Sequence, residues 1–464
     1  MTFARTARTR RARDPFRLAI ATSRVAKISP ALLALAIFLL VALLFTGLLT
    51  LPIAAADGRA TVLHDAMFTA FSAVTVTGLV SVDTAEHWSF FGELVILLGI
   101  QIGGLGIITI ALLLSRAVTR SFGVQVRIFA QQGIGASKLG EVQSLLRIVI
   151  LTTLVLEGVL ALVLIPRFII VEGSFLRGTW DGIFYAVSAF NNAGFAPNPG
   201  GIMAYDGDLW ITIPVMVGVF VGSLGFPVFL VLMMSRHHWR TWSLHAKLTL
   251  TTTTVFLVLG ALTWMVLEWS NTDTIGGMTV GEKIYHALFA STMMRSGGFS
   301  LTDYGESSPV TLLVTDALMF VGGGSASTAG GIKVTTIAIL FLAIVAEAKG
   351  DKNVMIFGRT IPQGALRVAI SVTFLGATLV LVATGLIMLV SDAPLDRILF
   401  EVISAFATCG LSVGLTEELH PAGLYVLTAL MFAGRIGPIG LASALAVRRR
   451  NLLFRYPDER PVIG

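Results

Sequence analysis

Ser72-Ala-Val-Thr-Val-Thr-Gly78-Leu is one of four copies of a single pattern along this chain. Each copy has a Ser or Thr six residues before a Gly, and a Leu or Phe directly after it. Successive pattern glycines are 116, 104 and 112 residues apart. A repeat this regular predicts four equivalent units around one axis, each contributing a loop to a shared site. The other copies are Ser188-Ala-Phe-Asn-Asn-Ala-Gly194-Phe, Thr292-Met-Met-Arg-Ser-Gly-Gly298-Phe and Ser404-Ala-Phe-Ala-Thr-Cys-Gly410-Leu.

The composition is that of a membrane protein. Of the 464 residues, 55% are hydrophobic and 13% are charged, whereas a soluble domain carries about 25% charged residues. A single cysteine, Cys409, excludes an internal disulfide framework and a thiolate metal cluster. Several apolar stretches reach the roughly 20 residues that cross a bilayer as a helix. The predicted spans are 31–51, 88–115, 144–166, 208–234, 248–268, 309–346, 366–390 and 421–446.

Each pattern glycine lies between an odd span and the next even span, after a segment too short to cross. Such segments fit re-entrant half-helices, whose irregular ends are tolerated only inside protein or against water. The short segments are 63–75, 179–191, 282–293 and 394–407. The predicted fold class is an all-α membrane protein of eight transmembrane helices, arranged as four span–pore-helix–span repeats with pseudo-fourfold symmetry around one pore. The predicted divisions are a basic arm 1–30, repeats 31–115, 144–234, 248–346 and 366–446, and a tail 447–464.

The basic residues predict the orientation of the chain. Of the 33 Lys and Arg residues, 25 lie in the two terminal segments and in loops 115–147, 235–247 and 347–367. By the positive-inside rule, both termini are cytoplasmic and the glycine loops enter from outside. The loops on the outer side are acidic. Their negative charge would attract cations; the alternative is that these loops are acidic only because they are exposed to solvent. We therefore expect a multi-pass membrane protein with both termini in the cytoplasm.

The four loops predict a cation filter. Rings of backbone carbonyls can replace the water shell of an ion, and glycine accepts the backbone angles that aim carbonyls at one axis. The alternative is four ordinary turns with a glycine C-cap, which four matching positions disfavour. No metal site beyond the transported cation is expected. The predicted filter residues are Val76, Thr77, Gly78, Asn192, Ala193, Gly194, Ser296, Gly297, Gly298, Thr408, Cys409 and Gly410.

The even spans carry a second glycine motif in four copies, of which the fourth is Gly434-Arg-Ile-Gly437-Pro438. Its third copy predicts a gate. The first two copies, Gly103-Gly104-Leu-Gly106 and Gly222-Ser-Leu-Gly225, are explained by close helix packing. The third has five glycines in ten residues, too many for a rigid helix, and predicts a helix, a polar loop and a second helix from about Ile332. A phosphate-binding loop would need a Gly-Lys-Ser/Thr ending, which is missing. The predicted gate residues are Gly322, Gly323, Gly324, Ser325, Ser327, Thr328, Gly330, Gly331, Lys333 and Arg435.

Two of these residues are charged and lie within apolar spans. An intramembrane charge costs several kcal/mol unless it faces water or a partner. Arg435 below the filter would repel cations and limit flux; the alternative is a structural pair with Glu401 or Asp316. Lys333 either belongs to the gate or reaches towards the interface as an anchor.

These motifs resemble the Trk/Ktr/HKT superfamily of potassium transporters, and most closely its KtrB-type membrane subunits. The resemblance covers nearly the whole chain from residue 31. It rests on the four filter patterns, the Gly-Gly-Gly-Ser-Ala-Ser-Thr-Ala-Gly-Gly-Ile-Lys stretch at 322–333 and Gly-Arg-Ile-Gly-Pro at 434–438. One departure is Ser296-Gly297-Gly298, which stands where the family often has Thr-Ala-Gly.

The resemblance implies potassium uptake across the bacterial plasma (inner) membrane, which depends on sodium in several members. It also implies partners that the sequence itself does not reveal. KtrB-type subunits form homodimers and bind a cytoplasmic octameric ring of KtrA-type subunits. The ring carries ATP or ADP, so no cofactor is expected in this chain besides potassium as substrate. Membrane lipid is an expected partner and nucleic acid is not. A TrkH-like or sodium-conducting transporter of the same superfamily is the alternative. An organic-solute transporter would show inverted repeats, and a membrane enzyme would need clustered acids, His or Ser; neither feature is present.

Overall fold

The computed structural model describes residues 30–106, 142–235 and 239–447, which are mostly helical and contain almost no strand. The basic arm 1–30, most of loop 115–147 and the tail 447–464 lie largely outside the described residues. The helices are α1 Pro30–Leu49, α2 Leu63–Thr75, α3 Phe90–Gly104, α4 Val142–Glu172, α5 Phe175–Phe190, α6 Leu209–Leu224, α7 Phe226–Ser235, α8 Leu244–Glu268, α9 Val280–Met293, α10 Pro309–Phe320, α11 Val334–Lys349, α12 Gln363–Met388, α13 Leu395–Ala407 and α14 Pro421–Val447.

The remaining elements are short. Single helical turns lie at Thr84–His87 and Leu415–Glu418, and 3₁₀ turns at Pro52–Ala54, Gly201–Tyr205, Trp239–Thr241 and Tyr304–Glu306. One two-residue antiparallel hairpin pairs Met355–Ile356 with Arg359–Thr360, with Met355 opposite Thr360. These elements connect the helices and form no layer of their own.

Several helices have the length and composition of membrane spans. Among the described residues, α4, α8 and α12 qualify alone, and α6 with α7 qualify as one bent pair. Shorter apolar helices are Ala34–Leu49, Phe90–Gly104, Pro309–Phe320 and Pro421–Gly437. Large apolar side chains on the long helices are highly exposed, for example Leu162 at 74% and Phe374 at 75%. Apolar patches of this kind are unfavourable in water and favourable against lipid.

The four short helices α2, α5, α9 and α13 are instead buried towards their C-terminal ends, although their first turns are exposed, for example Leu63 at 57% and Phe175 at 72%. Every residue of α13 from Phe400 to Ala407 is buried, and so is every residue of α2 from Phe68 to Thr75. Each short helix packs against the long helix that precedes it. Helix α9 begins with a capping box, in which Thr279 and Glu282 satisfy each other's backbone N–H groups. All four helices end three to five residues before a pattern glycine.

The break between α6 and α7 differs from the single span expected over 208–234. The two helices meet at an angle of 98° because Gly225 has a φ of +92°. A Cβ at Gly225 would lie 2.6 Å from Ser325 O, so the break makes room for the loop between α10 and α11. Close helix packing, our expectation for this glycine, is therefore only part of its role.

Candidate functional site: a ring of four glycine loops

The four loops share positive φ angles at two matching positions. The residue two positions before each pattern glycine has a positive φ: 57° at Val76, 61° at Asn192, 100° at Ser296 and 46° at Thr408. The glycines themselves have φ values of 94°, 74°, 73° and 94° in chain order. A positive φ is strained for a β-branched residue such as Val or Thr. Backbone strain that recurs at four matching positions points to a functional site.

The Ser at the start of the pattern fixes the loop in the first and fourth copies. The Gly78 N–H donates to Ser72 Oγ at 3.1 Å, and the Gly410 N–H donates to Ser404 Oγ, also at 3.1 Å. These bonds satisfy N–H groups that lie beyond the C-terminal end of each helix and have no partner in its backbone ladder. They explain why a hydroxyl precedes the glycine by six residues.

The second and third loops use their hydroxyls differently. Ser188 Oγ donates to Phe195 O at 2.8 Å, on the far side of the second glycine. Thr292 Oγ1 donates to Leu288 O at 2.8 Å, within its own helix. All four loops therefore have a hydroxyl six residues before the glycine, but only the first and fourth loops use it to accept a hydrogen bond from the glycine N–H.

The four pattern glycines meet in a closed ring, which we call the glycine ring. A Cβ added to Gly78 would lie 3.2 Å from Gly194 Cα, and one at Gly194 would lie 2.8 Å from Gly298 Cα. One at Gly298 would lie 3.4 Å from Gly410 Cα, and one at Gly410 would lie 3.2 Å from Gly78 Cα. Real Cβ atoms rarely approach this closely, so each position requires glycine. Segments more than 100 residues apart are thus brought into direct contact.

The predicted filter residues immediately before the glycines are buried, and several link neighbouring loops. Cys409 is fully buried, and its Sγ donates to Met293 O and Met294 O at 3.4 Å each. This thiol therefore connects the fourth loop to the third. Its contacts are with backbone, in agreement with a packing role for the only cysteine.

The second glycine motif packs directly behind the ring. In three copies, a glycine lies so close to a backbone carbonyl that a Cβ would collide with it. That carbonyl always belongs to the residue four positions before the ring glycine of the same repeat. The pairs are Gly103 with Val74, Gly222 with Phe190, and Gly434 with Phe406.

The loop between α10 and α11, which we call the 321–333 loop, lies against the same side of the ring. Thr328 Oγ1 donates to Asn192 Oδ1 at 2.8 Å. The Gly330 N–H donates to Ser296 Oγ at 3.3 Å, and the Gly324 N–H donates to Ser223 O at 2.8 Å. These bonds reach the second and third ring loops and the end of α6.

Arg435 and Lys333 both hold this loop. Arg435 is 8% exposed; its guanidinium donates to Thr328 O and, at 3.0 Å, to Gly103 O. The Lys333 ammonium donates to Ala329 O at 2.6 Å and to Gly330 O at 3.4 Å. Lys333, the last residue of the 321–333 loop, therefore bonds back to the backbone of the same loop.

The acidic partners considered for Arg435 lie elsewhere in the part of the chain that the structure describes. Glu401 Oε1 accepts from Ser412 Oγ and from the Val413 N–H at 3.0 Å. Asp316 is buried, and neither acid forms an ion pair with Arg435. Arg435 is thus satisfied by backbone carbonyls.

Two buried ionisable side chains near the ring were not among the predicted filter and gate residues. Glu157 of α4 is 5% exposed, and its Oε1 accepts from Asn191 Nδ2 at 2.7 Å. Arg295 is 2% exposed and donates through Nη1 to Thr253 O at 3.3 Å; within the described ranges it has no ion pair. An ionisable residue in an apolar stretch is the only sign of such a site in the sequence. The partners could not be predicted, because they are 34 and 42 residues away.

No three His, Cys, Asp or Glu side chains in the described ranges gather as a metal site. The polar atoms that surround the ring are backbone carbonyls, amides and hydroxyls. Such oxygens suit a weakly bound alkali cation better than a tightly held transition metal.

Comparison with known proteins identifies the family. The model of the TrkH family, described as cation transport proteins, matches residues 35–450. The chain is 36% identical to Ktr system potassium uptake protein B of Bacillus subtilis over 435 residues, which are 94% of this chain and 96% of that protein. It is 34% identical to potassium/sodium uptake protein NtpJ of Enterococcus hirae over 458 residues, which are 96% of this chain and 100% of that protein.

A solved structure supports the same fold. The crystal structure of the potassium transporter TrkH from Vibrio parahaemolyticus matches with a TM-score of 0.70 and 19% identity, covering 89% of this chain and 84% of that one. The predicted resemblance to Trk and Ktr proteins is confirmed by these matches. The chain belongs to the TrkH family of cation transport proteins and is a transporter, not an enzyme.

Proposed function

We propose that this chain is the ion-translocating subunit of a potassium uptake system and that the glycine ring is its selectivity filter. The closed contact of four loops from four parts of the chain is the observation that carries this proposal. The relatives named above are potassium or potassium/sodium uptake proteins, which supports potassium as the substrate.

The filter would select through backbone carbonyls. In each loop, two residues with positive φ are separated by one residue, and such alternation can turn successive carbonyls to one side. The helices α2, α5, α9 and α13 end at the ring, so their partly negative C-terminal ends favour a cation there. The ring needs no fixed negative charge, which allows an ion to leave as readily as it enters.

The proposed topology has eight spans in four repeats, with pseudo-fourfold symmetry and the loop ends of the short helices facing outwards. An acidic outer mouth would raise the local cation concentration. Segments from the first and fourth repeats meet there: the pKa of the Glu417 carboxyl is raised by partial burial and by the nearby charges of Asp83 and Glu418. Charges from two repeats close enough to interact are consistent with a shared mouth.

The proposed gate is the 321–333 loop together with Arg435 and Lys333. The hydrogen bonds from this loop to the ring described above go to residues that precede the glycines, so the loop lies on the cytoplasmic side in this topology. Its polar backbone is tolerated in the membrane because protein surrounds it. Displacement of the loop would open the path below the filter.

We further propose a homodimer that binds a cytoplasmic ring of KtrA-type, nucleotide-binding subunits. Two relatives are named as proteins of a Ktr system, which supports a complex between this chain and other subunits. The docking surface would include the basic loops 115–147, 235–247 and 347–367. The ring, and not this chain, would carry the nucleotide.

Expression of this chain with its partner subunit is expected to restore growth of potassium-uptake-deficient bacteria in low-potassium medium. Purified protein in lipid vesicles should then take up rubidium, a potassium tracer, down its gradient. Vesicles that contain folded protein without rubidium uptake would contradict the proposal. Empty vesicles prepared with the same lipid serve as the control.

A potassium/sodium transporter is the second candidate. The name of NtpJ includes sodium, and the third ring loop has an additional glycine, Gly297, that would loosen one quarter of the filter. Rubidium and sodium uptake measured with and without a sodium gradient separates the candidates. Equal uptake of both ions would favour the sodium-conducting alternative, and stimulation of rubidium uptake by sodium would indicate coupling.

A further inference from the structure

The Ser296 hydroxyl lies between the 321–333 loop and the fourth ring loop. Its Oγ donates to Thr408 O at 3.0 Å and accepts from the Gly330 N–H at 3.3 Å. Ser296 is 1% exposed and Thr408 is 0% exposed. One buried hydroxyl therefore connects the proposed gate to a carbonyl of the proposed filter, where bulk water does not replace either bond.

This connection distinguishes Ser296 from the equivalent residues of the other three loops. Val76 has no polar side-chain atom. Asn192 contacts the 321–333 loop through Thr328, but its Nδ2 donates to Val219 O of α6 at 3.2 Å, which is not a ring carbonyl. Thr408 Oγ1 has no hydrogen bond among the described residues. Among these four positions, Ser296 alone bonds to the loop and to a carbonyl of another ring loop.

Steric contact reinforces the hydrogen bonds. A Cβ at Gly330 would collide with Thr408 Oγ1 and would lie 2.7 Å from Ala407 O. A Cβ at Gly331 would lie 3.3 Å from Ala407 Cα. The end of the 321–333 loop is therefore packed directly onto the backbone that enters the fourth ring loop, and movement of the loop must change the surroundings of Thr408.

We propose that Ser296 is a positioning residue that couples the position of the 321–333 loop to the availability of the Thr408 carbonyl for a cation. With the loop in place, the hydroxyl bonds to both groups and engages one lone pair of the carbonyl. When the loop leaves, the hydroxyl loses the Gly330 donor, and a buried polar group must find another arrangement. When the rearranged Ser296 hydroxyl gives up its bond to Thr408 O, that carbonyl is free to face the ion. This inference rests on the proposed potassium pathway.

The test measures loop position and ion preference separately. Cys409 is the only cysteine and is fully buried, so a Ser325→Cys background gives a thiol reporter in the partly exposed section of the loop. We expect Ser296→Ala to speed thiol labelling about fivefold, the size expected for one buried hydrogen bond. We expect the same substitution to increase sodium competition against rubidium uptake by a similar factor.

Matched variants distinguish coupling from general damage. Ser296→Gly also removes the hydroxyl but accepts the φ of +100°, so it should behave like Ser296→Ala even if alanine is poorly tolerated. Ser296→Thr keeps a hydroxyl and should restore both readouts towards wild type. Ser404→Ala removes the hydroxyl that holds Gly410 and contacts the filter only, so it should alter ion preference without changing labelling.

The outcomes are separable. Absence of rubidium uptake by the wild-type protein would overturn the proposed function, and the inference with it. Normal rubidium uptake with unchanged labelling in both Ser296→Ala and Ser296→Gly would overturn the inference alone. Faster labelling without a change in ion preference would also overturn it, because Ser296 would then be only a structural anchor of the loop.

Discussion

Replacement of Gly78 by Ser is expected to remove most of the preference of transport for potassium over sodium. The added Cβ would collide with Ala193 O and lie 3.2 Å from Gly194 Cα, so the first and second ring loops must separate. Gly78 also has a φ of +94°, which strains any L side chain. We expect the ratio of rubidium to sodium uptake to fall at least about tenfold, which corresponds to only about 1.4 kcal/mol of differential ion stabilisation.

Gly414→Ser is the matched control for backbone strain. Gly414 has a φ of +81°, but a Cβ there would meet nothing within 4 Å. Its substitution therefore introduces the strain of a positive φ without a collision at the ring. Uptake of both ions into vesicles should show altered preference for Gly78→Ser and the wild-type ratio for Gly414→Ser. An unchanged ratio in folded Gly78→Ser protein would remove the first loop from the filter.

The sequence was most informative where one residue type has one physical use. The spacing of the pattern glycines placed four loops between apolar spans, and the structure brings those glycines into one ring. The Ser before Gly78 and the Ser before Gly410 were visible as pattern residues, although their bonds to the glycine N–H were not. Local chemistry recurring at a fixed spacing can be recognised without knowledge of the fold.

Features that depend on contacts between distant segments were not predictable in the same way. Val76 is β-branched, so its own preferences argue against the left-handed conformation that the ring imposes. The five glycines at 322–331 made the interruption after α10 predictable. The break at Gly225 involves a single glycine, and the group that approaches it, Ser325 O, belongs to another repeat. The bond from Ser296 to Thr408 spans 112 residues, and neither residue alone indicates it.

Replacement of Arg435 by Gln is expected to raise potassium flux strongly. The guanidinium is buried and bonds to Thr328 O in the 321–333 loop and to Gly103 O behind the ring, so its loss removes a positive charge and loosens the loop. A fixed charge about 8 Å from a permeating cation costs about 2 kcal/mol at an effective dielectric constant of 20. Removal of that barrier alone would increase rubidium flux roughly 30-fold.

Two controls separate the charge from the loop contact. Arg435→Lys keeps the charge but cannot span both carbonyls with one planar group, so flux through this variant reports the loosened loop alone. Arg397→Ala removes another arginine that donates to a backbone carbonyl, Val413 O at 2.8 Å, after the fourth ring glycine. It should not increase flux. If Arg435→Gln lowers the yield of folded protein and leaves flux per molecule unchanged, Arg435 is a structural residue and not a barrier to cations.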